Sequence, residues 1–232
     1  MGKNKDIIGN AIKNYFHHQD RTPITVLSPD FDDDEIPVDY LFRSFKEMPI
    51  IEQTALKLCK GKTLDVGCGS GTHSLYLQTE KKLPVFAIDT SPGAIEISKE
   101  RGVNAVVADF FELKNDQFDT LLFLMNGSGI IGNLENIPKF FNQCRNLLSE
   151  NGQVIMDSSD LKFLFEDPED FSENYYGEMQ YRMRYKDEST DWFEWLFIDQ
   201  VLLKELAAEN KFSCEIVKDG PHFDFLCVLK AL

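Results

Sequence analysis

The stretch Lys62–Thr72, KTLDVGCGSGT, decides the fold of this chain. It contains a short apolar run with Asp65, followed by three glycines, Gly67, Gly69 and Gly71, that alternate with small residues. Such a run predicts a buried strand that turns sharply into a helix. Glycine supplies the positive φ of the turn and leaves bare backbone for a ligand to lie against. Because N–H groups at the helix start face the same crevice, the stretch predicts a nucleotide-type ligand site at a strand end.

The spacing of the glycines indicates which nucleotide. The dinucleotide fingerprint is Gly-x-Gly-x-x-Gly, but here Thr72 stands where that pattern has Gly or Ala, and no basic residue meets a diphosphate. The pattern acid-x-Gly-x-Gly-x-Gly resembles motif I of the class I S-adenosylmethionine (SAM)-dependent methyltransferases. The resemblance implies SAM as cofactor, with Asp65 orienting the glycine loop and the methionine amino group. It also implies that the Gly67 carbonyl accepts from that amine. Cys68 lies inside the loop and is expected to be a small filler and not a nucleophile.

Composition narrows the class of protein and of substrate. The 232 residues suit a single domain, and 43% hydrophobic residues are ordinary for a soluble globular protein. The net charge of −15 argues against nucleic acid and against an anionic membrane surface as partners. The apolar runs are too short to span a membrane. We therefore expect a small molecule, neutral or cationic, as the substrate.

The cysteines and histidines predict a reduced protein without a metal. The five cysteines are odd in number, scattered and never spaced C-x-x-C, which favours free thiols in a cytoplasm over a disulfide framework or a zinc site. The histidines His17, His18 and His222 do not cluster with acids at the spacing of metal ligands. We expect a cytoplasmic location and no metal.

Alternating strand and helix patterns follow the glycine loop. Apolar runs that end in polar residues predict four further strands, and Pro or Gly marks the ends of the helices between them. Because the spacing is that of right-handed βαβ units, the sheet core is expected to be parallel with helices on both faces. The predicted strands are Pro84–Ile88, Asn104–Ala108, Thr120–Met125 and Gln153–Met156.

The segments on either side of this core have other patterns. Helical periodicity precedes it, with the acidic run Asp30–Glu35 in a loop, and an alternating pattern after the fifth strand predicts an antiparallel hairpin. An amphipathic helix and two closing strands end the chain. The predicted helices before the core are 5–18, 39–45 and 49–59, the hairpin strands are 178–187 and 192–197, and the last elements are 200–210, 213–217 and 223–229.

Together with the resemblance, these patterns imply an α/β fold. We expect a Rossmann-like, doubly wound, seven-stranded sheet that is mostly parallel with an antiparallel last strand, N-terminal helices before it and a β-hairpin insertion after the fifth strand. The whole chain, 1–232, is expected to be one methyltransferase domain. Its four parts are a helical N-terminal cap (1–60), a SAM-binding core (61–158), an insertion or lid (159–199), and a C-terminal helix with closing strands (200–232).

Acids at three strand ends are expected to converge on one crevice, because parallel strands end at the same edge of a sheet. Asp89 is suited to accept from both ribose hydroxyls of an adenosine. The resemblance implies that Asp109 takes the adenine amino group, that Phe110 packs on the ring for about 1 kcal/mol, and that Asn126 and Gly127 flank the methionine end. The expected cofactor-binding residues are Asp65, Gly67, Cys68, Gly69, Gly71, Asp89, Thr90, Asp109, Phe110, Asn126 and Gly127.

Four residues expected over the crevice are candidates for binding the methyl acceptor: Tyr40 and Arg43 in the cap, and Tyr176 and Trp192 in the insertion. The protein has to hold an O or N nucleophile in line, exclude water and accept a proton, for which His73 is one option and a spectator contact the other. No catalytic base is assigned. Arg43 either grips a substrate carboxylate or faces solvent. The fourth strand ends Met-Asn-Gly-Ser-Gly, unlike the Asn/Asp-Pro-Pro-aromatic of nucleic-acid amino-methyltransferases, and an acidic pocket would favour an amine.

Two other functions fit the same nucleoside site. One is a non-catalytic SAM- or nucleoside-binding protein, and the other is an NAD(P)-dependent oxidoreductase, which Thr72 and the late position of the glycine loop disfavour. The aromatic-rich region 175–197 discriminates between an enzyme, which needs a lid over a second ligand, and a binding protein with a flat surface for a partner or a homodimer. We expect a methyltransferase that acts on a small-molecule acceptor, with a homodimer as one option for its assembly.

Overall fold

The computed structural model of the protein describes residues 5–114, 116–165 and 175–232. The strands are β1 (Ile24–Leu27), β2 (Asp34–Ile36), β3 (Thr63–Val66), β4 (Val85–Asp89), β5 (Ala105–Val107), β6 (Phe118–Phe123), β7 (Leu148–Ser159), β8 (Glu178–Tyr185), β9 (Glu188–Ser189), β10 (Phe193–Leu196), β11 (Phe212–Asp219) and β12 (Asp224–Ala231). The helices are α1 (Ile7–His18), α2 (Ile50–Leu58), α3 (Thr72–Thr79), α4 (Pro92–Glu100), α5 (Ile137–Leu147) and α6 (Gln200–Glu209).

The main sheet, within the described ranges, has seven strands in the order β11-β12-β7-β6-β3-β4-β5. The neighbours from β7 to β5 pair in parallel, whereas β12 runs antiparallel to both β7 and β11. This arrangement confirms the predicted mostly parallel, seven-stranded α/β sheet. Because the strand order reverses between β3 and β6, a crevice opens above the carboxyl ends of these two strands.

Successive residues of the central strands bury opposite faces of the sheet. In β6, Leu121 and Phe123 pack with α5 and α6, whereas Leu122 packs with α2 and α3. In β7, Met156 lies on the face that packs with α5 and α6, and Ile155 lies on the face that packs with α2 and α3. Strands that are buried on both sides have near-continuous apolar sequences, which is why the core strands could be predicted from short apolar runs.

A second, antiparallel sheet joins the N-terminal cap to the insertion. Its strand order is β10-β8-β1-β2, with β9 paired to β8. The pair β8/β10 confirms the predicted hairpin insertion. Strands β1 and β2 correct the expectation of a helical cap with a loop at Asp30–Glu35, because Thr25 and Val26 pair with Arg184 and Met183 of β8. This pairing depends on residues more than 150 positions away, which no local pattern reveals.

The segment predicted as a helix at 39–45 forms two 3₁₀ turns instead, Val38–Phe42 and Phe45–Glu47. Ser44 starts the second turn, and its backbone N–H donates to the Glu47 carboxylate at 2.7 Å. This capping box begins a new turn at Ser44, so the two turns cannot merge into one helix. Within the described residues, no helix is long and apolar enough to cross a membrane.

Candidate active site

The glycine loop lies between β3 and α3, beside a cavity of about 440 Å³ that we call the first cavity. Gly67, Gly69 and Gly71 all have positive φ, of 73°, 52° and 81°. A Cβ on Gly67 would lie 3.3 Å from Ile130, which lines the same cavity, so any side chain there would fill the space beside the loop. Of the expected cofactor-binding residues, the lining includes Gly67, Asp89, Thr90, Asp109 and Phe110.

Asp89 connects the glycine loop to the start of α4. Its Oδ2 accepts from the Gly69 N–H at 2.9 Å, and its Oδ1 accepts from the Ser91 N–H at 2.9 Å. Burial raises the pKa of Asp89, and these two N–H groups oppose that rise. Each carboxylate oxygen has a further lone pair, so the side chain is able to accept from two ribose hydroxyls while it holds the loop.

Asp109 and Phe110 form another part of the wall of the first cavity. The Asp109 carboxylate is exposed and accepts from the Phe111 N–H at 2.8 Å. Phe110 is buried, and its ring packs edge-on against Phe123 at 5.0 Å between centroids. Lys139 of α5 also lines the cavity, with its amine 4.4 Å from the centre of the Phe111 ring. This basic residue lies far from the glycine loop in the chain, so the loop motif gives no sign of it.

The side chains of Asp65, at the end of β3, and Cys68, in the glycine loop, pack away from the first cavity. The buried Asp65 carboxylate accepts from the Ser74 hydroxyl at 2.6 Å, and its burial raises its pKa. Cys68 packs with Ala87 and Ile95, in agreement with its expected role as a filler, and burial raises the pKa of its thiol. Neither side chain belongs to the lining of the first cavity. The role of Asp65 toward a methionine amino group stays a prediction.

The loop after β6 has a strained backbone that Asp157 holds. Met125 and Asn126 adopt left-handed φ values of 66° and 57°, which cost about 1–3 kcal/mol each in residues other than glycine. The Asp157 carboxylate accepts from the Asn126 N–H at 3.1 Å and the Gly127 N–H at 2.8 Å. The Asn126 side-chain oxygen accepts from the Ser159 hydroxyl at 2.7 Å. The fifth strand therefore continues past its predicted end at Met156 and supports the loop.

A larger cavity of about 710 Å³, the second cavity, lies between the small sheet and the ends of β6 and β7. Phe193 and Trp195 of β10 line both cavities, so this strand forms a wall that the two share. Among the described lining residues of the second cavity there is no Lys, Arg or His. Its carboxyl groups belong to Asp32, Asp34, Glu52, Asp157 and Asp224, and its aromatic rings to Phe31, Tyr40, Tyr181, Phe193, Trp195 and Phe197.

Trp195 is a residue of the site that the sequence analysis missed. The structure places it against Gly129, where a Cβ would lie 1.8 Å from the indole ring. The expected substrate residue Trp192 instead precedes β10, is 48% exposed and lies outside the residues that line the two cavities. The signal was present in the sequence, because the period of two in WFEWLF puts Phe193 and Trp195 on one face of the strand.

Arg43 lies in a buried ionic cluster with Glu52 and His73. The three residues are 7%, 4% and 7% exposed. One oxygen of Glu52, Oε2, accepts from Arg43 Nη2 at 2.5 Å and contacts His73 Nε2 at 2.7 Å. Burial alone would raise the pKa of Glu52, but His73 and Arg43 outweigh it and hold that pKa below its ordinary value. This corrects both expectations for Arg43, since the carboxylate that it grips is Glu52 and it does not face solvent.

The two tyrosines expected at the acceptor site have different positions. Tyr40 lines the second cavity, with the Arg43 guanidinium 3.9 Å from its ring centre. The Tyr176 hydroxyl lies 2.8 Å from an Asp160 oxygen and 3.1 Å from an Asp199 oxygen, so its one proton is placed between two carboxylates, and the residue lies outside the lining of both cavities. Because Asp199 caps α6, Tyr176 supports the start of that helix.

The cap is fixed directly to the glycine loop. The Leu41 carbonyl accepts from the Thr72 hydroxyl at 2.8 Å and from the Ser70 hydroxyl. Arg101, which caps the end of α4, donates to the Ser70 carbonyl at 2.6 Å and lies 4.8 Å from the Phe42 ring centre. The turn that holds Tyr40 is therefore positioned by the same loop that borders the first cavity.

His17 lies beside two acids, which its position in the sequence did not suggest. Its side chain and those of Glu96 and Glu100 bring possible ligand atoms within 4.8 Å of one another on the exposed surface where α1 packs on α4. Lys13 already pairs with Glu96 at 2.7 Å. The members of this group come from two helices, so no spacing along the sequence reveals it.

The sequence matches a family model described as a methyltransferase domain over residues 59–211, more than half of the chain. A curated relative, a tabtoxin biosynthesis enzyme from Pseudomonas amygdali pv. tabaci, is 31% identical over 99 residues. The alignment covers 41% of this chain and 38% of the relative, so the chain matches only about two fifths of that enzyme's length.

Solved structures match the fold over most of the chain. A SAM-dependent methyltransferase from Bacteroides fragilis, in complex with S-adenosylhomocysteine (SAH), is 50% identical, with a TM-score of 0.91 over 98% of this chain and 96% of that chain. CalS10 from Micromonospora echinaspora, a SAM-bound amino pentose methyltransferase, is 14% identical, with a TM-score of 0.58 over 82% and 92%, which shows the fold alone. The family model and the 50% identical structure establish that this chain belongs to the SAM-dependent methyltransferases.

Proposed function

We propose that this enzyme transfers the methyl group of SAM to a basic amine nitrogen of a small molecule bound in the second cavity. The observation that carries this proposal is the lining of that cavity, which combines five carboxyl groups with six aromatic rings and has no Lys, Arg or His among its described residues. Carboxylates and ring faces both attract an ammonium group, whereas they repel a carboxylate or a phosphate.

The first cavity suits SAM. The space beside Gly67 is free of side-chain atoms of the loop, Asp89 offers two acceptor oxygens, and Asp109 with the Phe110 ring offers an acceptor beside an apolar surface. These are the groups that a ribose and an adenine require, and the 50% identical Bacteroides fragilis structure is a complex with SAH. When bound, SAM supplies a methyl group that its sulfonium has already activated.

The shared wall supports catalysis over a purely binding role. Phe193 and Trp195 border both cavities, so a molecule in the second cavity would lie next to a cofactor in the first. Because the small sheet combines cap and insertion strands over this junction, we propose that the described residues of the cap (1–60) and of the insertion (159–199) act together as the cover that excludes water.

An acceptor panel tests the proposal. Purified enzyme and SAM would be incubated with benzylamine, 1,4-diaminobutane and glucosamine, each beside the alcohol or carboxylate of the same shape, and the products measured by mass spectrometry. We expect methylation of the amines to exceed that of their counterparts at least tenfold. Equal rates, or a preference for carboxylates, would overturn the amine assignment.

A pair of neighbouring acids supplies a matched control for the panel. Asp34 lines the second cavity, whereas Asp30 is exposed and outside it. Asp34→Asn is expected to raise KM for the preferred amine several-fold because it removes one attractive charge, and Asp30→Asn is expected to leave KM unchanged. Equal KM values for both variants would argue that the carboxylates do not select the substrate.

We also propose a cytoplasmic location. All five cysteines are free and four of them are buried, which suits a reducing compartment. The homodimer stays a prediction, and light scattering of the purified enzyme would test it.

A further inference from the structure

We propose that Asp157 is the catalytic residue that accepts the proton lost by the acceptor amine, and that Glu52 is the fixed negative charge that binds its ammonium form. This inference rests on the proposed amine function. It assigns different tasks to two carboxylates of the same cavity, and neither residue was a candidate in the sequence analysis.

The position of Asp157 is the first argument. Its carboxylate lines the second cavity and accepts from the N–H groups of Asn126 and Gly127, at the end of β6. Strand β6 pairs with β3, which leads into the glycine loop, and Asn126 and Trp195 line the second cavity together with Asp157. Asp157 therefore lies where the second cavity approaches the first.

Burial separates Asp157 and Glu52 from the other acids of the second cavity. Both are buried, at 6% and 4% exposed. Asp32 and Asp34 are exposed and Asp224 is half-buried. A group that receives a proton from a bound acceptor has to lie inside the site, which leaves these two carboxylates as candidates.

The partners of the two carboxylates determine which one takes the proton. Glu52 shares one oxygen between Arg43 and His73, and a guanidinium in contact opposes protonation. Among the described residues, the hydrogen-bond partners of the Asp157 carboxylate are the neutral N–H groups of Asn126 and Gly127. Its buried carboxylate consequently has the higher affinity for a proton. Enzymes often contain two acids whose surroundings give them different pKa values, so that one stays ionised while the other accepts or donates a proton.

Other ionisable groups face Asp157 from neighbouring elements. They are Glu52 of α2, His73 of α3, Tyr40 of the 3₁₀ turn and Cys227 of β12. Burial raises the pKa of Asp157 to about 6, the N–H groups of Gly127 and Asn126 oppose the rise, Glu52 adds to it and His73 opposes it. Burial raises the pKa of Tyr40, and a hydrogen bond with Cys214 together with burial raises the pKa of Cys227, so both keep their protons at neutral pH. At neutral pH Asp157 is thus an ionised base.

The proposed methyl transfer conserves atoms and charge. An acceptor enters as R–NH₃⁺ and binds beside Glu52, and one oxygen of Asp157 takes a proton from the nitrogen. The nitrogen lone pair forms a bond to the methyl carbon as the bond from sulfur to that carbon breaks, and the electron pair stays on sulfur. The products are R–NH₂⁺–CH₃ and neutral SAH, and the proton on Asp157 leaves to solvent through the second cavity.

The pH profile of kcat/KM for benzylamine tests this assignment. We expect kcat/KM of the wild type to fall tenfold per pH unit below about pH 6, which forms the acidic limb of the profile. In Asp157→Asn we expect this acidic limb to disappear and kcat/KM to be about 100-fold lower. The matched control is Asp34→Asn, which removes a charge from the same cavity and is expected to keep the limb while KM rises. A limb that persists in Asp157→Asn would overturn the proposal.

The protonation of Asp157 can also be measured directly in the wild-type enzyme, without a variant and without catalytic turnover. The carboxyl carbon of Asp157 would be titrated by NMR in the SAH-bound wild-type enzyme, alone and with benzylamine or benzyl alcohol. We expect the midpoint to fall when the amine binds, because an ammonium group favours the carboxylate, and to stay unchanged with the alcohol. An unchanged midpoint with benzylamine would overturn the role of Asp157 even if amines are methylated. Methylation of the alcohols and carboxylates instead would overturn the proposed function itself.

Discussion

In several side chains of this site, the polar atoms that hydrogen-bond to a backbone segment also border a cavity. Asp89 is the clearest example, since its two oxygens accept from Gly69 and Ser91 and also border the first cavity. A substitution at such a residue removes a ligand contact and the loop geometry together. For this reason we expect changes at these residues to affect binding more than the loss of one hydrogen bond would suggest.

Asp89→Ala is expected to weaken SAH binding at least 100-fold. The change removes the acceptor for ribose hydroxyls and releases two N–H groups of the loop. Calorimetric titration with SAM, SAH and NAD measures the effect, and Asp187→Ala, an exposed acid, is the control. Unchanged SAH affinity would contradict the position that we assign to the nucleoside, and binding of NAD alone would contradict the cofactor.

Gly129→Ala is expected to destabilise the enzyme by about 1–3 kcal/mol, because the new Cβ would overlap the Trp195 ring. In a Trp195→Ala background the same change is expected to cost much less, since the indole is gone. Urea unfolding of the four proteins in this double-mutant cycle gives the comparison. An equal cost in both backgrounds would show that the contact with Trp195 is not the reason.

Glu52→Gln is expected to destabilise the enzyme by about 3–5 kcal/mol, because it leaves the buried Arg43 guanidinium without its charged partner. The control is Glu96→Gln, which breaks the exposed pair with Lys13 and is expected to cost at most about 1 kcal/mol. Equilibrium unfolding measures both. Similar losses for the two variants would argue against a distinct buried cluster.

At the scale of elements, the cap and the insertion depend on each other. Strand β1 lies between β8 and β2, so a change in the cap alters a sheet that the insertion completes. The core sheet does not share these strands. Because β1 and β2 contribute no residue to the lining of the first cavity, we expect changes in these two strands to affect acceptor binding more than cofactor binding.

Val26→Pro is expected to raise KM for the acceptor at least tenfold and to leave SAH affinity within about threefold. Proline is poorly tolerated in a strand with neighbours on both sides, and Val26 pairs with both Asp34 and Met183. The control is Asp30→Pro, in the connection between β1 and β2. Loss of SAH binding in Val26→Pro would indicate that the cap strands support the core as well.

The same division explains what could be predicted from the sequence. The core strands and the glycine loop have local signals, since runs such as TLLFLM are buried on both faces and the glycines have a fixed spacing. Strands β1 and β2 have none, because their pairing partner is β8. Arg43 and Glu52 were equally hidden, because an ion pair between a turn and a helix has no sequence spacing of its own. Trp195, and not the predicted Trp192, shares a face of β10 with Phe193, as the side-chain period of two along a strand indicates.

At the scale of the whole molecule, Asp157 makes stability depend on pH. Its pKa rises from an ordinary value of 3.8 to about 6 on folding, so the folded state binds more protons between these values. Its stabilising contribution to the free energy of unfolding is therefore fully present below about pH 4 and is lost as pH rises through 6. This contribution amounts to about 3 kcal/mol. Glu52, whose pKa is lowered, acts in the opposite direction at lower pH.

The difference between wild type and Asp157→Asn isolates this contribution, because the other acids cancel. Urea unfolding at pH 4.5, 5.5, 6.5 and 7.5 is expected to show the wild type losing stability relative to the variant as pH rises, with no further change above about pH 7. A constant difference across the series would mean that Asp157 has an ordinary pKa in the folded enzyme.

The order of strands in the small sheet also bears on how the protein is made. Strands β1 and β2 leave the ribosome early, but β8 follows only after about 140 further residues, and a two-stranded hairpin is marginally stable alone. The glycine loop and the parallel strands around it are complete well before that point. During synthesis the glycine loop and its parallel strands therefore precede the wall formed by Phe193 and Trp195, and the enzyme becomes able to enclose an acceptor only once β8 and β10 have emerged.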